Sequence, residues 1–234
     1  MGDIAANYQR VMETIRTVAT RCGRSPNEIR LLAASKSQGV PAIREAIKSG
    51  IRLFGENYAQ EAKIKKEALE DSIGEPVEWH MIGHLQRNKV KAALDLFSLI
   101  QSLDSLELAR ALDREGKKRG QGVRVFIEVN VGAEQTKSGI SETELVPLLK
   151  EVGGLSNLRV EGLMTIPPYR EDPEEVRPYF RSLKELQRSL QELKIPNVEL
   201  RELSIGMTHD FSVAIEEGAT IVRVGTAIFG ERRG

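Results

Sequence analysis

The run Ile29-Arg30-Leu31-Leu32-Ala33-Ala34-Ser35-Lys36-Ser37-Gln38 is a short apolar stretch that closes on a lysine-bearing turn containing no glycine. Its length and apolar character predict a buried strand over residues 29–34. Outward from it, runs of the same kind recur at 51–54, 77–82, 96–100, 123–129, 158–164, 198–203 and 221–224. Between them lie helical patterns at 41–48, 57–70, 105–119, 141–152 and 172–193, and Pro41 suits a first helical turn. Short apolar strands alternating with helices predict parallel α/β structure, and about eight repeats predict a closed (β/α)8 TIM barrel. A doubly wound open sheet is the competing architecture. It usually has fewer strands and a glycine-rich first turn, which Ser35-Lys36-Ser37-Gln38 lacks. The apolar positions Ile4, Tyr8, Val11, Ile15 and Val18 add an N-terminal helix before the first strand. Little sequence follows the last strand, so that helix is expected to cover the side where an eighth outer helix would lie.

The chain has 234 residues, 40% of them hydrophobic, close to the roughly 250 of one barrel, and no linker-like stretch divides it. Residues 1–234 are therefore read as a single barrel domain. Lys plus Arg and Asp plus Glu both number 34, so the formal net charge is zero. That balance leaves no general electrostatic footprint for nucleic acid or an anionic membrane, and any bound anion must be held locally. Cys22 is the only cysteine and forms no internal disulfide. No charged-then-apolar leader opens the chain, and no apolar run approaches the roughly 20 residues of a membrane span. A cytoplasmic location is the expectation.

In a barrel, chemistry belongs where the strands end. The first strand delivers Lys36 there. A desolvated lysine, especially beside another cation, becomes a neutral amine able to form a Schiff base with a carbonyl. Taken alone, Lys36 reads better as a strand-end lysine reaching to solvent, and the other features of the mouth must shift that reading. The turns Leu203-Ser204-Ile205-Gly206-Met207 and Val224-Gly225-Thr226 end the seventh and eighth strands, where barrels commonly hold a phosphate. Glycine admits close backbone approach, Ser204 and Thr226 offer hydroxyls, and the helix beginning near Thr208–Asp210 adds free N–H groups. Two ordinary turns are the alternative.

Arg223 lies within the apolar strand Ile221-Val222-Arg223-Val224 and needs acceptors, either a structural ion partner or a ligand. His80 and His84 flank Met81-Ile82-Gly83, a spacing that suits a metal only on a helix, so no metal is expected. His84 and Gln86 are read as mouth-lining groups, and His209 as a solvent-facing helix-start residue. Asn57 serves as a ligand contact or a helix cap. Lys137, after the fifth strand, is a second amine near the same face or a solvated loop lysine.

Phe54-Gly55-Glu56-Asn57-Tyr58, the run from Trp79 through His80-Met81-Ile82-Gly83-His84-Leu85-Gln86-Arg87-Asn88 to Lys89, Lys137-Ser138-Gly139 and the stretch 203–231 resemble the YggS/PROSC family of pyridoxal phosphate homeostasis proteins. The resemblance runs nearly end to end. It implies a barrel like the N-terminal domain of alanine racemase, without the second, β-rich domain of such enzymes. It further implies pyridoxal 5′-phosphate (PLP) bound as a Schiff base to Lys36, Arg223 at the pyridine nitrogen, and Ser204, Gly206, Gly225 and Thr226 around the phosphate. Asn57 and Met164 become wall candidates. Ile205 departs from the methionine frequent in relatives, at a position that would contribute backbone.

Racemases and decarboxylases take catalytic groups from the second domain, and an arginine at the ring nitrogen makes PLP a poorer electron sink. The expectation is a carrier that buffers PLP and delivers it to apo-enzymes, with no catalytic residues and as a monomer. A PLP-dependent amino-acid racemase or decarboxylase is the alternative, and a PLP-free Schiff-base lyase the third reading.

Overall fold

The computed structural model describes residues 3–69, 76–132 and 138–231. Its strands are β1 Arg30–Ala34, β2 Leu53–Glu56, β3 Glu78–Met81, β4 Leu99–Leu103, β5 Val123–Glu128, β6 Leu158–Met164, β7 Val198–Met207 and β8 Ile221–Val224. Each pairs in parallel with the next, and β8 returns to β1 with Leu32 opposite Arg223, closing the barrel. A closed parallel barrel buries both strand faces, which is why the runs read as apolar without clean alternation.

Two apolar layers result. Leu32, Leu53, Leu99, Phe126, Met164 and Ile221 fill the barrel interior. The larger core lies between the barrel and the helices, where Phe54 stacks on Trp79 with ring centroids 5.1 Å apart.

The outer helices are α1 Ile4–Arg21, α2 Val40–Lys48, α3 Ala59–Leu69, α4 Val90–Leu96, α5 Leu106–Arg119, α6 Glu142–Gly153, α7 Arg177–Glu192, α8 Phe211–Glu216 and α9 Thr226–Phe229. The Asp3 carboxylate caps α1 by accepting from the Ala6 N–H at 2.9 Å, and Gly120, at φ +63°, ends α5 in the left-handed conformation. The helix α1 lies against α8 and α9, as expected for a chain whose last outer helix is only four residues long. Asn7 Nδ2 donates to the Ile228 carbonyl at 2.8 Å and an Arg24 guanidinium N–H to that of Ile215 at 2.7 Å. No helix among the described residues is long and apolar enough to cross a membrane.

Two expectations about elements are corrected. The fourth strand begins at Leu99 and not at Leu96, because Val90 and Ala93, one turn apart, bury one side of the brief helix α4, which ends on Leu96. A helix this short presents too few turns to show a period. The seventh strand runs on to Met207, through a shift in its register with β8 between Ser204 and Met207.

Candidate functional site

The mouth is built from the strand ends, and β1 sets its first group. Lys36, partly buried, sits in a turn closed by the Gln38 N–H on the Ser35 carbonyl at 3.0 Å. The turn is held from beneath. Ser35 is fully buried and donates its hydroxyl to Glu56 Oε1, while Lys65 Nζ donates to the Ser35 carbonyl at 2.8 Å and to Glu56 Oε1 at 2.6 Å. The Ser37 N–H donates to Glu61 Oε2 at 2.9 Å, so Ser37, at φ +63°, is fixed in a conformation that side chains seldom adopt. Burial pushes the Glu56 carboxyl above the usual carboxylate range, against the pull of Lys65 and Ser35.

Strand pairing carries the neighbours. Ala34 is opposite Gly55, which sets Asn57 at the level of Lys36. The carbonyl of Tyr58 accepts from the Ala62 N–H at the start of α3, so Asn57 precedes the cap position. A side chain at Gly83 would come within 2.7 Å of the Asn57 Cα, and only glycine lets the β3 turn approach this closely. Met164 is wholly buried in the interior layer and forms part of the floor of the mouth.

Arg223 reaches the mouth from β8 with only 4% of its surface exposed. Its guanidinium donates to the Ser204 carbonyl, to the Ser204 hydroxyl at 2.9 Å and to the Thr165 carbonyl at 2.7 Å. Desolvation pulls its pKa down to about 10, opposed by the charges of Asp210 and Glu128, so it stays a cation at neutral pH. The Ser204 hydroxyl donates in turn to Gln101 Oε1 at 2.6 Å. In this arrangement the Ser204 hydroxyl links Gln101 to Arg223.

Thr208 sets a hydroxyl beside the glycine turn after β8. Its Oγ1 lies 3.3 Å from the Gly225 nitrogen and 3.4 Å from the Ala227 nitrogen, so two backbone N–H groups converge on one oxygen. Thr226 is exposed beside them. A side chain on Gly225 would meet the Ala34 carbonyl at 3.2 Å. Gly206 is at φ +87°, and an added Cβ would stand 2.5 Å from that of Ala214. Gly206→Ala should therefore cost about 2–3 kcal/mol, from backbone conformation and overlap together, read as a lowered urea midpoint.

The remaining sequence candidates disperse. His80 is fully buried inside the barrel, whereas His84 is exposed and faces Asp104 at 3.4 Å. His84 and Gln86 line a cleft of about 760 Å³ with Arg87, Asp104 and Glu107, to one side of β3 and β4. His209 is exposed and bonds the Glu171 carbonyl. Lys137 lies outside the described residues; its neighbour Ser138 donates to Glu128 Oε1 at 2.7 Å, and burial raises the Glu128 pKa.

The buried cluster of Ser35, Glu56 and Lys65 escaped sequence reading although a signal existed. On α3, Ala62, Lys65 and Leu69 form the buried stripe, and a lysine at a core position of that stripe demands an internal carboxylate.

Known proteins match along nearly the whole chain. The family described as "Alanine racemase, N-terminal domain" matches residues 4–233. A pyridoxal phosphate homeostasis protein of Aquifex aeolicus is 50% identical over 224 residues, 96% of each chain. The structure of PipY from Synechococcus elongatus with PLP bound is 34% identical and superposes with a TM-score of 0.80 over 93% of this chain and all of that one. An alanine racemase of Clostridium difficile shares the fold at a TM-score of 0.74 and 15% identity; all of this chain matches 61% of the longer enzyme. With the matched residues spanning all eight strands and both glycine turns of the mouth, the chain belongs to the alanine racemase N-terminal-domain family, among its pyridoxal phosphate homeostasis proteins.

Proposed function

We propose that this protein binds PLP covalently, as a Schiff base on Lys36 Nζ, and buffers and delivers it to apo-enzymes without substantial turnover of its own. The observation that carries the reading is the pairing of β1 with β8, which sets an amine, a buried guanidinium and a cup of backbone N–H groups on adjacent strands. The donor set fits the cofactor. Lys36 provides the amine for an aldehyde; the hydroxyls of Ser204 and Thr226 suit a phosphate, as do the N–H groups of Gly225 and Ala227, which would trade their long bonds to the Thr208 hydroxyl for phosphate oxygens. Gly206 and Gly225 leave the room it needs, Asn57 and Met164 would flank the ring, and Arg223 would hold its nitrogen.

When bound, PLP supplies a carbonyl that exchanges amines and a ring that withdraws electrons. The protein's own residues restrain the second property. Arg223 is a cation held by two carbonyls and a hydroxyl, so it donates a hydrogen bond to a ring nitrogen without yielding its proton. A nitrogen kept unprotonated weakens carbanion chemistry while leaving amine exchange at Lys36 intact. We read residues 1–234 as one barrel domain that works as a cytoplasmic monomer.

The test is borohydride reduction of the PLP-loaded protein followed by peptide mapping. The pyridoxyl group is expected on Lys36, and a label found only elsewhere overturns the assignment. Transfer of PLP to an apo-enzyme, measured beside racemase and decarboxylase activity, separates carrier from enzyme; robust turnover of a free amino acid would reverse the reading. Thr226→Val is expected to weaken PLP about fivefold while changing pyridoxal binding little, since one hydrogen bond to the phosphate is lost. Titration with both aldehydes checks it.

A further inference from the structure

A line of buried polar groups crosses the barrel from the closed end to the mouth. At the closed end Glu78 is gripped by Arg30 and, at 3.4 Å, by Arg124, and these three side chains are partly exposed. His80 Nε2 lies 2.8 Å from Glu78 Oε1, Gln101 Nε2 lies 2.9 Å from His80 Nδ1, and the Ser204 hydroxyl lies 2.6 Å from Gln101 Oε1. Arg223 then meets the Ser204 hydroxyl at 2.9 Å. His80, Gln101 and Ser204 are all fully buried.

The direction of every bond is forced by the one before it. Hydrogen bonding to His80 and two guanidiniums holds the Glu78 carboxyl down at about 2, so it only accepts and His80 must carry its proton on Nε2. Burial lowers the His80 pKa, leaving the ring neutral and Nδ1 an acceptor. Gln101 must therefore turn its amide N–H to His80 and its carbonyl to Ser204. Ser204 spends its only proton on that carbonyl, and its oxygen is left to accept from Arg223. Bonds aligned in one sense polarise one another, with the cation at one end and the carboxylate at the other.

We propose that His80 and Gln101 are positioning residues for the cofactor ring: by orienting the Ser204 hydroxyl they fix the guanidinium of Arg223, and the closed end of the barrel thereby acts on the mouth. The inference rests on the PLP reading for its ligand, but the chain of bonds is a property of the protein alone.

Two measurements test it on the full chain. In the protein without PLP, the ¹⁵N shifts of the His80 ring should report the neutral Nε2–H form; an Nδ1–H form or a charged ring overturns the chain. In PLP titrations followed by absorbance, His80→Phe and Gln101→Leu should each raise the dissociation constant about fivefold and shift the bound-cofactor band. His80→Gln retains one acceptor and one donor in series and should stay within about twofold of the unsubstituted protein. If His80 merely filled space, phenylalanine would serve better than glutamine, so a normal His80→Phe or a His80→Gln as impaired as His80→Phe overturns the proposal. Should the phenylalanine and leucine variants fail to fold, the ring shifts and His80→Gln still decide. Failure of the unsubstituted protein to bind PLP would instead remove the proposed ligand, a result separable from the tautomer.

Discussion

Replacing Lys36 with alanine is expected to abolish covalent capture of PLP and to lower its retention on the order of 100-fold, while leaving the fold intact. The side chain is only partly buried in a turn whose geometry depends on Ser35, Ser37, Glu56, Glu61 and Lys65, so stability should change by about 1 kcal/mol or less. Lys36→Arg is the matching control, because it keeps the charge and loses the amine nucleophile. Absorbance after gel filtration, with mass spectrometry of the reduced complex, checks both variants. Covalent capture that survives in Lys36→Ala would move the attachment to another lysine and with it the function of the whole mouth.

The largest stability effect is expected one layer below. Lys65→Met removes the counter-ion of a fully buried Glu56 whose Oε2 already lacks a hydrogen-bond partner. Stranding such a carboxylate costs about 3–5 kcal/mol. Replacing both partners, in Glu56→Leu with Lys65→Met, should recover much of the loss, since two apolar groups need no compensation. The sign of the pH effect follows from the raised Glu56 pKa, which lies above its unfolded value. The folded protein holds that proton more tightly than the unfolded chain, so the contribution of Glu56 to stability falls as pH rises from the unfolded pKa through the folded one. Without Lys65 the folded pKa rises further. The variant should then lose less at about pH 5 than at about pH 8, because protonation neutralises the stranded carboxyl increasingly as pH falls. Urea unfolding at both pH values measures it, and a loss independent of pH would assign the defect to packing instead.

The barrel was legible because its signals are local and repeated. Eight apolar runs separated by helical patterns need no knowledge of long-range contacts. Lys36 and Arg223 stood out for the same reason: each is a cation ending or interrupting an apolar strand. What stayed hidden depends on which side chains meet across the barrel. Ser204 stood out by its place after a strand, but only the closed barrel reveals that its hydroxyl bonds Gln101 at 2.6 Å. Thr208 looked like part of a helix start until β8 brought two N–H groups to its hydroxyl. The spacing of His80 and His84 already argued against a shared metal, but only strand geometry shows that one is buried and the other exposed. Lys65 differs from these, since the helical spacing of Ala62, Lys65 and Leu69 is local and already sets a cation among core positions.

The clasp between α1 and α9 has a consequence in time. Asn7 and Ile228, joined by a hydrogen bond, are 221 positions apart in the chain. At about 5–20 residues per second, a ribosome needs on the order of 10–40 s to make what lies between them. During that interval the apolar stripe of Ile4, Val11, Ile15 and Val18 can meet α2 but not yet α8 and α9. The turn of Gly225 and Ala227 is made just before Ile228. The packing of α1 on α8 and α9 is therefore a contact of the latest-made helices with the earliest, and it can form only after β8 has been synthesised.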